Sequence, residues 1–181
     1  MHDFTWFCFM ESPVYQFNYI CHYNLKKTNN MQEPQMNFMA MLVATLIPMI
    51  MGFIYYHPAV FGKAWMYSNG FTKETIGSGP KPILYLLALF VSFFLTMFFW
   101  GWVTGAGGQD QLQVVDPKDG HSYVTFQHGV AHGLIFGITV LLPIFTTMAI
   151  FEKRKFSWAF VNWGYWTITS ILMCGILSAW R

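Results

Sequence analysis

The chain has 181 residues, of which 10% are charged, 55% hydrophobic and 20% aromatic. Soluble domains carry about 25% charged residues, so this composition indicates a protein whose outer surface faces lipid. The net charge is only +2, and the sequence has no basic arm and no aromatic–basic stripe. Nucleic acid is therefore excluded as an expected partner.

Residues 1–35 differ from the rest of the chain, because they are rich in aromatic residues and asparagine without a regular period. They lack the basic start, apolar core and small-residue cleavage site of a secretory signal. One interpretation is translation from a start upstream of a native one at Met31 or Met36. The other is an interfacial segment, since aromatic side chains favour the headgroup level. We treat 1–35 as an N-terminal extension and 36–181 as the membrane domain.

Four long stretches of the membrane domain contain no Asp, Glu, Lys or Arg. About 20 apolar residues cross the hydrocarbon core of a bilayer, and a charge at the centre costs about 2.5–3.5 kcal/mol. A soluble helix bundle would need polar faces that these stretches lack. The sequence therefore predicts an all-α, integral membrane four-helix bundle, with spans at about 37–56, 82–105, 125–151 and 156–180.

Two prolines and one polar loop interrupt this pattern. Pro48 in the first span and Pro143 in the third predict irregular helix geometry. The outer loop, residues 106–124, contains Asp119-Gly120 between short β-prone stretches, which predicts a short hairpin there.

The distribution of Lys and Arg predicts the orientation. The loops 57–81 and 152–155 share one side and hold six of these residues, whereas the termini and 106–124 hold four. Because basic loops remain in the cytoplasm, both termini are expected outside it.

Three segments carry a family resemblance: GFIYYHPAVFGKAWM, FQHGVAHG and VNWGYWTITSILMCGIL. Together they resemble the seventeen-sixty-one domain-of-unknown-function family of small bacterial four-helix membrane proteins, over about residues 36–181. The first contains a Tyr-x-Pro, Phe-Gly-Lys-x-Trp motif from Tyr56 to Trp65, and the third span a His-Gly motif from His128 to Pro143. The resemblance implies a four-span fold in the bacterial inner membrane. It implies no reaction and no cofactor.

His128 and His132 are the candidate metal ligands. Four residues apart, they share one helix face, and two neutral imidazoles can bind zinc or copper or relay protons. A metal site needs a third and usually a fourth ligand. The alternative is a structural role near the outer interface, with hydrogen bonds to carbonyls or water.

Gly129, Gly133 and Gly137 form a face of small residues on the third span. Helices associate in lipid by close packing, so this face predicts a tight helix contact. The sequence leaves open whether the partner helix belongs to the same chain or to another copy.

A polar cluster is predicted at the cytoplasmic end, because several polar side chains fall at similar depth. Asn162 needs a hydrogen-bond partner in lipid. The cluster is either hydrogen-bonded contact between helices or a pocket for a small ligand or anionic lipid beside Lys63 and the 153–155 turn. Its members are Tyr56, His57, Thr146, Asn162 and Tyr165.

The function favoured by these patterns is non-enzymatic, because no carboxylate lies within the spans to serve acid–base chemistry. The first hypothesis is a structural or accessory subunit that self-associates or binds another membrane protein, with membrane lipid as a further partner. The second is a small-molecule, lipid or ion-handling protein with a cavity between the first and third spans. The third is metal binding at His128 and His132.

Overall fold

The computed structural model describes residues 36–72, 81–105 and 125–180. Every regular element in these ranges is helical: α1 (Phe38–Tyr55), α2 (Gly62–Asn69), α3 (Pro82–Thr104), α4 (Phe126–Phe151) and α5 (Phe156–Ala179). All of these helices except α2 are long and apolar enough to cross a membrane. The predicted all-α membrane fold is confirmed. The N-terminal extension and the hairpin predicted in the outer loop lie outside the described residues.

The spans begin where the local chemistry favours a helix start. The Asn37 side chain accepts hydrogen bonds from the backbone N–H groups of Met39 and Ala40, at 3.0 and 3.2 Å. Thr125 caps α4 in the same way, with 3.3 Å to the N–H of His128. Such caps satisfy donors that the first helical turn leaves free. The observed bounds fall within one residue of the predicted spans.

α5 is the inner helix of the described structure. In its most apolar 18-residue window 44% of the residues are buried, against 11% in α3 and 11% in α4. Each of the other helices packs against α5, most closely the first half of α4, and α1 also packs against α3. One buried apolar cluster joins α1, α3 and α5, and it consists of Ala40, Met41, Ala44, Ile47, Phe99, Val103, Met173, Cys174 and Leu177.

The predicted irregularity at Pro143 takes the form of a π-helical turn, Gly137–Leu141, in the middle of α4. A proline lacks the backbone donor, and its ring clashes with the carbonyl four residues earlier. The wider turn avoids that clash, because the N–H of Leu142 donates to the carbonyl of Gly137, five residues back. α1, in contrast, continues through Pro48 as an α-helix.

Candidate functional site

A cluster of aromatic side chains lies where the end of α1, the start of α2 and the first half of α5 meet. The Tyr55 ring stacks on Phe61 with centroids 4.5 Å apart. Tyr56 lies 5.6 Å from Trp65 and 5.0 Å from Tyr165. We call Tyr55, Tyr56, Phe61, Trp65 and Tyr165 the tyrosine cluster.

The three tyrosine hydroxyls of this cluster all donate hydrogen bonds between α1 and α5. Tyr55 donates to the Val161 carbonyl at 3.0 Å. Tyr56 donates to the Asn162 side-chain oxygen at 3.1 Å. Tyr165, which is buried, donates to the carbonyl of Pro48 at 2.6 Å. An unsatisfied polar group in hydrocarbon costs several kcal/mol, so these bonds favour the observed contact of the two helices.

Gly62 explains the Phe-Gly-Lys-x-Trp part of the motif. A Cβ atom at this position would overlap the carbonyl oxygen of Tyr56 and lie 2.8 Å from the carbonyl carbon of His57. The Gly62 N–H donates to the His57 carbonyl at 3.0 Å, which closes the turn. A glycine here therefore allows the chain to fold back and bring Phe61 and Trp65 onto the tyrosines.

The polar cluster predicted from the sequence is present in part. Tyr56, Asn162 and Tyr165 lie together, and the Asn162 amide also donates to the Trp158 carbonyl at 2.8 Å. His57 is exposed, and its Nδ1 accepts the N–H of Ala59 at 3.2 Å within the turn. Thr146 is half-buried on α4, and no described hydrogen bond joins it to the others.

His128 and His132 are in contact at the opposite end of the molecule, near the start of α4. Their ring centroids are 4.5 Å apart, and the His132 ring lies 5.8 Å from Trp102 of α3. The Nδ1 atom of His132 is buried and has no hydrogen-bond partner in the described structure. No third His, Cys, Asp or Glu completes a metal-sized group with them among the described residues. The pair offers two imidazole ligands.

The glycine face of α4 lies against α5 of the same chain. A Cβ at Gly129 would overlap the Cys174 carbonyl oxygen. At Gly133 it would lie 2.5 Å from the Cα of Ile171, and at Gly137 2.5 Å from a side-chain carbon of Thr167. Because backbone atoms occupy the space of a side chain at the first two positions, the two helices approach as closely as they can.

Two further polar contacts between α4 and α5 were not predicted. The indole N–H of Trp163 donates to the Gly137 carbonyl at 2.8 Å, at the start of the π turn. The hydroxyl of Ser178 donates to the Thr125 carbonyl at 2.6 Å. Pro143 indicates that the backbone hydrogen bonding of α4 is irregular. Nothing in the sequence identifies which side chain donates a hydrogen bond to a carbonyl of the irregular turn.

Basic side chains and aromatic rings meet at the end of the molecule that contains α2 and the α4–α5 turn. The ammonium of Lys155 lies 4.1 Å from the ring centroid of Tyr67 on α2. The guanidinium of Arg154 lies 4.8 Å from the ring centroid of Trp158, and its Nε is 2.5 Å from a Glu152 carboxylate oxygen. The Lys155–Tyr67 contact places α2 next to the α4–α5 turn.

Comparison with known proteins confirms the family resemblance. A sequence model described as "Protein of unknown function (DUF1761)" matches residues 39–178, which cover the four membrane-length helices to within one residue at each end and include the tyrosine cluster. No curated protein and no solved structure matches the chain. The chain is a multi-pass membrane protein that belongs to the DUF1761 family of unknown function.

Proposed function

We propose that the chain is a non-enzymatic structural or accessory component of the bacterial inner membrane, and that it associates with a second copy of itself through α3. The absence of Asp and Glu from the four membrane-length helices supports a non-enzymatic role. The hydroxyls of the tyrosine cluster are also engaged within the chain. The single donor proton of each hydroxyl is therefore already used in a contact between helices.

The observation that carries the self-association is a row of exposed aromatic side chains on α3. Phe90, Phe94, Phe98 and Trp102 recur every four residues, and all four are exposed. We call them the aromatic ridge. The buried residues of α3 (Thr96, Phe99 and Val103) face the core instead.

Rows of side chains at four-residue spacing interdigitate when two helices pack. In lipid, such packing is a main source of association energy. A two-fold contact joins the same surface of both copies and is the commonest symmetry of homo-oligomers. We infer that the aromatic ridges of two copies interdigitate in this way.

Native mass spectrometry after gentle detergent extraction from the native membrane tests this proposal. We expect a species that contains two copies of the chain. Extraction of single chains alone overturns the proposal. A stoichiometric complex with a different membrane protein assigns the ridge to that protein and also overturns self-association.

We further propose that both termini lie outside the cytoplasm, because the described charges all lie at the α2 and α4–α5 end. A membrane-impermeant thiol reagent applied to intact cells tests the orientation, after Cys8 and Cys21 have been replaced by serine. Gln127→Cys, in the exposed first turn of α4, should react from outside. Lys153→Cys, in the α4–α5 turn, should react only after cell disruption. The reverse pattern refutes the orientation.

The buried Nδ1 of His132 favours a second candidate function, the binding of a zinc or copper ion by His128 and His132. Imidazole nitrogen suits both metals, and water would take the remaining positions. Electron paramagnetic resonance of untagged protein with added Cu(II) should show coupling to two nitrogen atoms, reduced to one or lost in His132→Ala and unchanged in the exposed-residue control His57→Ala. A wild-type protein without the nitrogen-coupled signal ends this proposal.

The hypothesis of a cavity between the first and third spans has less support. In the described residues α1 and α4 each pack against α5, and no extensive contact joins them to one another. Because α5 lies between α1 and α4, a cavity lined by these two helices would have to extend around α5. Ligand handling is therefore better sought at the ends of the helices than between these two spans.

A further inference from the structure

Lys63 and Lys155 lie on a common basic surface, although they are 92 positions apart in the sequence. Lys63 and Tyr67 are four residues apart on α2, so they share one helix face. The ammonium of Lys155 lies 4.1 Å from the ring centroid of Tyr67. Tyr67 thus connects the lysine of α2 with the lysine that precedes α5.

The position of α2 is fixed by its other face. Trp65 contacts Tyr56 of the tyrosine cluster at 5.6 Å and Phe71 at 5.4 Å between ring centroids. Ser68 is buried. The Trp65–Tyr56 contact holds α2 against the end of α1, and α2 also packs against α5, so the position of the Lys63–Tyr67 face is defined.

Neither lysine forms an ion pair among the described residues. The only ion pair among the described residues joins Arg154 to Glu152, so the single carboxylate in the α4–α5 turn is already compensated. Lys63 and Lys155 are exposed. The surface between them therefore carries an excess of positive charge.

This surface lies at the level where a bilayer has its headgroups. Lys155 immediately precedes the membrane-length helix α5, and Glu152 and Lys153 immediately follow α4. Tyr67 is 70% exposed, and Phe156 on the first turn of α5 is also exposed. Exposed aromatic rings beside lysines are typical of contact with the interfacial region.

We propose that Lys63, Tyr67 and Lys155 form a binding site for the headgroup of an anionic phospholipid. The two ammonium groups contact the negatively charged headgroup, and the exposed rings of Tyr67 and Phe156 contact the adjoining glycerol and acyl region. The cytoplasmic leaflet supplies anionic lipid, and the basic loops predict that this end faces it. The site does not depend on the α3 contact, so either can exist without the other.

Native mass spectrometry of the full-length purified protein tests the site. The protein is equilibrated with an equimolar mixture of phosphatidylglycerol and phosphatidylcholine, and the ratio of the two bound lipids is measured. We expect the wild-type protein to retain phosphatidylglycerol in excess. Lys63→Gln and Lys155→Gln should each lower that ratio by about fivefold, the factor expected for one basic residue near an anionic surface.

Two further variants separate a defined site from a general effect of charge. Lys81→Gln removes one exposed charge at the start of α3 and should leave the ratio within twofold of wild type. Tyr67→Ala changes no charge but removes the ring that Lys155 contacts, and it should lower the ratio. All four positions are exposed, so these variants are expected to fold.

Three results overturn the proposal. The first is a wild-type ratio in Lys63→Gln and Lys155→Gln. The second is an equal decrease in Lys81→Gln, which indicates net charge rather than a site. The third is displacement of the bound lipid by millimolar inorganic phosphate, which would make the site one for free phosphate.

Discussion

Gly133 has no side chain, and this is why α4 and α5 can touch through their backbones. An added Cβ would lie 2.5 Å from the Cα of Ile171 and 2.7 Å from the Ser170 carbonyl oxygen. Neither backbone atom can move without shifting α5. Gly101, in contrast, is a helical glycine of α3 at which an added Cβ meets nothing within 4 Å.

Gly133→Ala is expected to destabilise the protein by about 1–3 kcal/mol, the usual cost of forcing extra atoms into a packed contact. Gly101→Ala is the matched control. It should leave stability unchanged or raise it by up to about 1 kcal/mol, because alanine favours a helix over glycine. Unfolding of the purified protein by titration with sodium dodecyl sulfate measures both. Equal stability of the two variants would contradict the close contact.

The sequence indicates part of this residue-level structure. The four-residue spacing of Gly129, Gly133 and Gly137 indicates a small-residue face, but spacing along one helix says nothing about which helix faces it. From the sequence, depth alone groups His57 with Asn162. Depth does not determine the direction in which a side chain points around the helix axis. The turn after α1 directs His57 outward, where its Nδ1 accepts a hydrogen bond from the N–H of Ala59.

At the scale of the helices, the π turn of α4 changes which carbonyl groups a neighbour can reach. Gly137 at its start accepts both the N–H of Leu142 and the indole N–H of Trp163. The second bond links the irregular part of α4 directly to α5. Thr167, whose buried hydroxyl has no hydrogen-bond partner among the described residues, lies beside the same glycine.

Trp163→Phe should therefore destabilise the protein more than Trp166→Phe does. Both substitutions remove the same atoms from half-buried tryptophans of α5, but only Trp163 has a described indole hydrogen bond. We expect a difference of about 1 kcal/mol, within the range measured for hydrogen bonds between membrane helices. The same detergent titration gives the two values. A difference of zero would show that the Gly137 bond contributes nothing.

The spans could be predicted from sequence because charges and caps mark their ends. The start of α3 is marked by Lys81 followed by Pro82, and the start of α5 is marked by Lys155 before Phe156. α2 was not predicted. It is short, and its position depends on the contact of Trp65 with Tyr56, which joins residues across a turn and has no periodic signal.

At the scale of the whole molecule, the arrangement of the helices could not be predicted. The composition of α5 differs from that of the other spans, because it is the least apolar of the four, but composition does not reveal which helix packs against which of its faces. The structure places α5 inside, because α5 carries the small residues and hydroxyl groups that permit close packing: Thr167, Thr169, Ser170, Cys174, Gly175 and Ser178 are all buried. α3 lies at the outside with its aromatic ridge exposed.

We propose that the aromatic ridge contacts a second copy of the chain, and oxidative cross-linking in native membranes tests this contact most directly. Phe90→Cys, Phe94→Cys and Phe98→Cys are each introduced after Cys8 and Cys21 have been replaced by serine, while the buried Cys174 is kept. Leu46→Cys is the control, since Leu46 is an exposed residue of α1 at similar depth, next to the Thr45–Thr96 contact. A disulfide requires Cα atoms within about 7 Å, so only positions near a two-fold contact can form one. We predict covalent dimers in at least one ridge variant and none in Leu46→Cys; ridge variants that cross-link no more than Leu46→Cys would contradict the claim.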